Sequence, residues 1–381
     1  MIPFNKPYLT GTEVTMISRA HELGQLSGDG YFTNLCSSWL EKNTGTQRAL
    51  LTHSCTAALE MAAILINIQP GDEIIMPSYT FVSSANAFVL RGGIPVFIDI
   101  REDTLNIDET LIEQAITKKT KAIVPVHYAG VSCEMDAIMN IAKKYNLFVI
   151  EDAAQGIMSE YKGKSLGSIG DFGCLSFHET KNIIAGEGGA LLINNKEFIE
   201  RAEIIREKGT NRTQFFKEGL DKYSWKDIGS SYLPGETVAA FLFAQLEEAR
   251  MITRKRIKIW DDYHRFFLNF KSLPACRIPF IPKSCTNNGH LFYLLLNDYK
   301  AREEFIAFMQ ARGIKCISHY IPLHNSDGGR KFGYMGSNSM RVTEDMASRI
   351  VRLPIWIGLE IEVIIQALSE WCNKERNINA L

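Results

Sequence analysis

The sequence predicts an α/β fold built on a mostly parallel central sheet, with a smaller C-terminal α+β unit after it. Two observations carry this reading. Between about residues 55 and 195, short β-branched apolar runs alternate with helical patterns, and strand and helix in turn imply a parallel sheet covered on both faces. After about 195 this texture changes, and at 381 residues the chain is long enough for a second unit with its own core.

Taken in order, the first predicted helix runs from Cys55 to Asn67, with Leu59, Ala62, Ala63 and Leu65 at helical spacing. Strands follow at Ile74–Met76, Ile94–Ile98, Ala122–Val126 and Leu147–Ile150, separated by helical stretches at 81–91, 108–117 and 134–144. A helix at 196–207 precedes an irregular Gly/Ser/Tyr stretch at 209–235 and one long helical pattern at about 237–270, read as a connector. The remainder predicts strands near 291–296 and 314–318 and helices near 301–312 and 360–372. The division falls near residue 250, giving a large unit of 1–250 and a small one of 251–381.

Composition excludes several functions. An apolar fraction of 46% and a charged fraction of 22% describe a globular chain, not a disordered or fibrous one. With 42 basic and 43 acidic residues there is no net field to hold nucleic acid or an anionic membrane, so any phosphate must be gripped locally. The eight cysteines are scattered, without Cys-x-x-Cys pairs or zinc-like histidine spacing; reduced thiols and no metal site are expected. No apolar run approaches the roughly 18 residues of a membrane span and no signal peptide opens the chain, so a cytoplasmic protein is expected.

Three segments carry chemistry. Thr52-His-Ser-Cys-Thr-Ala-Ala-Leu59 places small hydroxyl residues before a helix, where they serve either as a plain N-cap or as a phosphate cradle on unpaired N–H groups. Val149-Ile-Glu-Asp-Ala-Ala-Gln155 is an apolar strand ending in two carboxylates, at the edge where open α/β sheets gather ligands; taken alone, such an Asp can equally be solvated. Leu175-Ser-Phe-His-Glu-Thr-Lys181, followed by Gly186-Glu-Gly-Gly189, offers a lysine that by itself reads as a surface charge. Together they supply what pyridoxal 5'-phosphate (PLP) requires: an anion site, a carboxylate for the pyridinium nitrogen and an amine for the aldehyde. The separation of 29 residues between Asp152 and Lys181 (181 minus 152) allows one return across a sheet.

With Pro77-Ser-Tyr-Thr-Phe81 and His319-Tyr-Ile-Pro-Leu-His324 added in the same order, these segments resemble the DegT/DnrJ/EryC1/StrS family of nucleotide-sugar aminotransferases over almost the full length. Within it, Ile75-Met-Pro-Ser-Tyr-Thr-Phe-Val82, Pro125-Val-His-Tyr-Ala-Gly130 and Arg206-Glu-Lys-Gly-Thr-Asn-Arg212 are most similar to transaminases forming dTDP-4-amino-4,6-dideoxygalactose. The resemblance implies a fold-type I PLP-dependent aminotransferase in which Lys181 bonds to the cofactor and later moves a proton, and Asp152 pairs with its ring nitrogen. It further implies that Phe81 stacks on the ring, that Gln155 meets the phenolic oxygen, and that Cys55, Thr56 and Ser176 hold the phosphate. Tyr31, His319 and His324 would approach the sugar, although either histidine can equally be structural and Gly28-Asp-Gly-Tyr31 an ordinary glycine turn.

One segment departs from the family pattern. Gly229-Ser-Ser-Tyr-Leu-Pro-Gly-Glu-Thr237 has Ser231 where members carry an Asn that reaches the phosphate of a neighbouring subunit, and Leu233 in place of an Arg. The resemblance also implies a homodimer and transfer of an amino group from L-glutamate to C4 of a dTDP-4-keto-6-deoxyglucose. The product would enter surface polysaccharide such as enterobacterial common antigen. The alternatives are a C3 aminotransferase on the 3-keto isomer and a PLP-dependent sugar dehydratase; the latter carries a histidine where this chain has Lys181.

Overall fold

A computed structural model describes residues 1–212, 224–270 and 276–378. Part of the irregular stretch at 209–235 therefore lies outside the described residues. The strands are β1 (Arg48–Thr52), β2 (Glu73–Pro77), β3 (Ile94–Ile98), β4 (Thr120–Ile123), β5 (Phe148–Asp152), β6 (Glu160–Tyr161), β7 (Lys164–Ser165), β8 (Phe172–Ser176), β9 (Gly189–Ile193), β10 (Phe292–Leu295), β11 (Tyr334–Met335) and β12 (Ile350–Leu353). Eight of them form one sheet in the order β1-β9-β8-β5-β4-β2-β3-β11.

Pairing is parallel from β8 through β5, β4, β2 and β3 to β11, while β9 is antiparallel to both β8 and β1. All strands but β9 thus point the same way, and their carboxyl ends share one edge. Alternate side chains feed two apolar layers. Ala49, Leu51, Leu175, Ala190 and Leu192 join the Tyr31–Thr44 and Glu236–Glu247 helices on one face. Leu50, Cys174, Leu191 and Ile193 join the Cys55–Leu65 helix on the other.

A third cluster gathers Trp260, Tyr263, Phe267, Phe292, Val351 and Trp371 around the antiparallel pair β10–β12. The Ala249–Asn269 helix links the cores, with Ala249 and Ile252 in the first and Ile259 onward in the third. The chain nevertheless returns to the large sheet: β11 extends it beside β3, and Leu323 and Met340 pack into its second layer.

Several elements differ from expectation. The pattern at 237–270 is two helices, Glu236–Glu247 and Ala249–Asn269, because Glu248 leaves helical geometry at φ −98° and ψ 8°. Residues 314–318 form no strand; only the isolated bridges Ile2↔Ile314 and Ile317↔Arg352 occur there, and β12 is the partner of β10. The stretch 108–117 is a 3-10 turn at Glu109–Leu111 and a one-turn helix at Ile112–Ala115. Strands β1, β8 and β9 were not anticipated. Gly173 in β8 and Gly189 in β9 weaken a strand signal, yet each is required by close backbone approach: a Cβ at Gly173 would lie 2.1 Å from the Gly167 carbonyl oxygen.

Candidate active site

The site forms where β1, β5 and β8 end. Ser54 caps the Cys55–Leu65 helix by accepting from Ala57 N–H at 3.1 Å, which leaves the first turn facing the sheet edge. Gly189 of β9 passes so close that a Cβ there would sit 2.3 Å from the Ser54 carbonyl carbon, so glycine lets helix start and sheet meet. The loop between β8 and β9 carries Lys181 and is tied down by main-chain bonds from Ala185 N–H to Phe177 O (2.7 Å) and from Lys181 N–H to His178 O (2.9 Å). Asp152 ends β5 in register with Cys174 of β8. Its Oδ2 accepts from Ser84 Oγ at 2.6 Å and its Oδ1 from Ala154 N–H at 3.1 Å, fixing the carboxylate.

These groups line one cavity of about 730 Å³. Lys181, Asp152, Cys55, Thr56, Phe81, Gln155, Ser176 and His319 all face it. Phe81 is 57% exposed, leaving its ring available to the cavity. Thr56 Oγ1 donates to Ser83 Oγ at 2.8 Å beside the helix start. Gln155 is oriented at both ends, Oε1 accepting from Ala129 N–H at 2.7 Å and Nε2 donating to Tyr320 Oη at 3.3 Å.

The electrostatics lower the basicity of the Lys181 amine. Burial pushes the Lys181 ammonium below its ordinary range and Arg352 adds to this, while Cys55 and Asp152 act in the opposite sense. Burial likewise holds the Cys55 thiol protonated. His319 is driven down to about 2 by burial, then by Arg352 and Lys181, so its ring is neutral and its 3.2 Å contact to Tyr128 Oη joins uncharged groups.

The remaining expected residues lie elsewhere in the single chain. His324 is outside the cavity lining, with Nδ1 2.7 Å from Ser78 Oγ and Nε2 3.2 Å from Glu344 Oε1, which is the structural alternative. Tyr31 opens the Tyr31–Thr44 helix, 47% exposed, and Ser231 is exposed on a bridge to Glu207; neither lines the cavity. Sequence reasoning missed Ser84, His290, Tyr320 and Arg352. Two of them carried a signal: Tyr320 lies inside the His319-Tyr-Ile-Pro-Leu-His324 motif, and Arg352 is a charge inside the apolar run Ile350-Val-Arg-Leu353.

The residues present suit PLP: a helix start with hydroxyls for a phosphate, a fixed carboxylate and a lysine of lowered basicity share one cavity of adequate size. The DegT/DnrJ/EryC1/StrS aminotransferase family model matches residues 7–369. The spore coat polysaccharide biosynthesis protein SpsC of Bacillus subtilis is 32% identical over 97% of this chain and 96% of its own. A GDP-perosamine synthase of Escherichia coli O157:H7 is 32% identical over 96% of each. A sugar aminotransferase from Streptococcus pneumoniae in its PLP form superposes with a TM-score of 0.88 at 26% identity, covering 98% of this chain and 99% of that one. The chain therefore belongs to the DegT/DnrJ/EryC1/StrS aminotransferase family and is a PLP-dependent sugar aminotransferase of fold-type I.

Proposed function

We propose that this enzyme moves the amino group of L-glutamate to C4 of dTDP-4-keto-6-deoxyglucose, giving dTDP-4-amino-4,6-dideoxygalactose for surface polysaccharide. The observation that carries the chemistry is the meeting of Lys181 and Asp152 in one cavity at the carboxyl edge of the sheet. The choice of sugar rests on the resemblance of the 75–82, 125–130 and 206–212 segments.

PLP, when bound, supplies an aldehyde that captures amines and a ring that accepts electrons. Asp152, held by Ser84 and Ala154 N–H, keeps the ring nitrogen protonated. Lys181, its basicity lowered by burial, takes a proton from the donor carbon and returns one to the acceptor carbon. Main-chain N–H groups at Cys55 and Thr56, with the Thr56 and Ser176 hydroxyls, hold the phosphate at the positive end of the helix. Phe81 packs on the ring, Gln155 orients its phenolic oxygen, and His319 meets the sugar as a neutral hydrogen-bonding group.

The same reading divides the chain near residue 250, which the separate cores on either part of the Ala249–Asn269 helix support. It also includes a homodimer. Tyr31 and Ser231 are exposed and away from their own cavity, as residues serving a partner's site would be.

A second reading has a GDP-linked acceptor, favoured by the 32% identity to a GDP-perosamine synthase. The test is to incubate the protein with L-glutamate and either the dTDP-linked or the GDP-linked 4-keto-6-deoxyhexose, then identify the amino sugar by mass spectrometry and NMR. Product from the dTDP sugar supports the first reading. Turnover of the GDP sugar alone replaces it, and turnover only of a 3-keto isomer moves the reaction to C3.

A further inference from the structure

His290 stands just before β10, only 6% exposed, with its side chain in the wall of the cavity. Its main chain is held from two directions. The N–H donates to Asn288 Oδ1 at 3.0 Å, and the carbonyl oxygen accepts from Arg256 Nη2 at 3.1 Å. Asn288 is fully buried and donates through Nδ2 to the carbonyl oxygens of Gln155 (2.8 Å) and Ile157 (2.9 Å), which fastens this turn to the segment that follows Asp152.

The tautomer of the ring follows from its neighbour. Asn182, next in the chain to Lys181, donates from Nδ2 to the Asn288 carbonyl oxygen at 2.8 Å. A carbonyl oxygen only accepts, so the Asn182 amide cannot be turned over, and its Oδ1 is the atom 2.9 Å from His290 Nδ1. An amide oxygen also only accepts; Nδ1 therefore carries the hydrogen. Burial, then the charges of Lys181, Arg256 and Arg352, keep the ring neutral, so this hydrogen is its only one. Nε2 is left as a bare lone pair, and no described residue donates to it. Asn182 is not part of the cavity lining, so the edge of the ring that faces the cavity is the opposite one.

A bare imidazole nitrogen held in this way is selective. A carboxylate, phosphate or ketone oxygen offers it no hydrogen, whereas an amine or a sugar hydroxyl does. Of these donors the amine is the one the fold sets beside it: Lys181 precedes the residue that holds the ring and lines the same cavity.

We propose that His290 Nε2 accepts a hydrogen bond from the Lys181 amine once that amine is free of the cofactor, and so aims the amine's lone pair at the substrate carbon. This rests on the transamination reading above, in which Lys181 moves the proton. Lys181 takes the proton from carbon, holds it as an ammonium and delivers it onward; His290 gains and loses none. The bond it accepts is stronger from the ammonium than from the amine, so it favours the proton-loaded state. His290 acts through Lys181 and is a positioning residue.

The test uses PLP-loaded enzyme and two variants. His290→Asn keeps a donor for Asn182 Oδ1 but removes Nε2; His290→Gln sets an amide oxygen where Nε2 stood. Single turnovers are followed by absorbance for each half-reaction, L-glutamate with the PLP-loaded enzyme and keto sugar with the amino-loaded enzyme. The first is repeated with L-glutamate deuterated at Cα. In His290→Asn both half-reactions should slow by roughly tenfold to a hundredfold, the loss expected for one hydrogen bond to a charged group. The deuterium isotope effect should rise, affinity for L-glutamate and PLP should stay within about threefold, and His290→Gln should recover part of the rate. A merely structural histidine would lower PLP affinity and the unfolding midpoint and leave the isotope effect where it was. Nitrogen-15 NMR of the histidines in amino-loaded wild-type enzyme gives a second reading: His290 Nε2 should be unprotonated and hydrogen-bonded, and the hydrogen-bond shift should vanish in Lys181→Ala. A protonated Nε2, wild-type rates in His290→Asn, or a loss confined to the sugar half-reaction, which would make a sugar hydroxyl the donor, overturns the assignment and leaves transamination standing. A wild-type enzyme whose spectrum is unmoved by L-glutamate or any other amino acid overturns both.

Discussion

At the scale of single residues, the site depends on a fixed carboxylate and a buried amine that line the same cavity. Asp152 stays fixed because Ser84 and Ala154 N–H donate to its two oxygens. Ser84→Ala removes a bond to a charged acceptor in a buried place and should lower stability by about 1.5–3 kcal/mol, read by urea unfolding, and weaken PLP uptake read by absorbance. Lys181→Ala removes the amine proposed to bond PLP and move the proton. Turnover should fall by roughly 10²–10⁴-fold or more, and the yellow, borohydride-sensitive band should vanish. A variant that keeps the band would place the covalent bond on another lysine.

At the scale of elements, the cradle exists because β9 runs beside the start of the Cys55–Leu65 helix. Gly189 pairs with Thr52 on one flank and Ser176 on the other, bringing two predicted phosphate-holding segments against one strand. Gly189→Ala would press a methyl group on the Ser54–Cys55 peptide, which is backbone and cannot rotate away. The expected cost is about 2–4 kcal/mol in thermal or urea unfolding, with PLP affinity falling alongside. Equal stability and affinity would mean that strand and helix can separate without harm. The helix itself was legible, since Ser54 caps an apolar stretch that can only be buried. The break at Glu248 was not, because both segments it separates are good helix formers; the second helix starts in the first core at Ala249 and Ile252 and only from Ile259 onward reaches the third.

At the scale of the whole molecule, the cavity is bounded opposite the sheet edge by His290 and Leu291 just before β10, by Arg352 of β12 and by the loop bearing His319 and Tyr320. This burial has a consequence for pH. His290 is pushed well below its ordinary value, first by burial and then by Lys181, Arg256 and Arg352, while its Nδ1 lies 2.9 Å from Asn182 Oδ1. The unfolded chain takes up a proton on this histidine near pH 6.5, and the folded chain does so only at much lower pH. Its contribution is therefore complete above about pH 6.5 and declines as pH falls. His319 acts in the same direction. The unfolding midpoint should drop from pH 7 to pH 5, and His290→Gln should show a shallower slope; an unchanged slope would remove His290 from the account.

The sequence by itself determined the alternating α/β order, the helix with its Ser54 cap, and the three segments that carry Cys55, Asp152 and Lys181. Each of these is written in local spacing: apolar period, capping chemistry and short runs of consecutive residues. Tertiary structure alone decided that β9 reverses between β8 and β1, that β12 and not 314–318 pairs with β10, and that Arg352 and Tyr320 reach the cavity while His324 is taken by Ser78 and Glu344. Those outcomes depend on which non-adjacent segments share a core, and the free energy that selects them comes from burial between residues well separated along the chain, which no local pattern encodes.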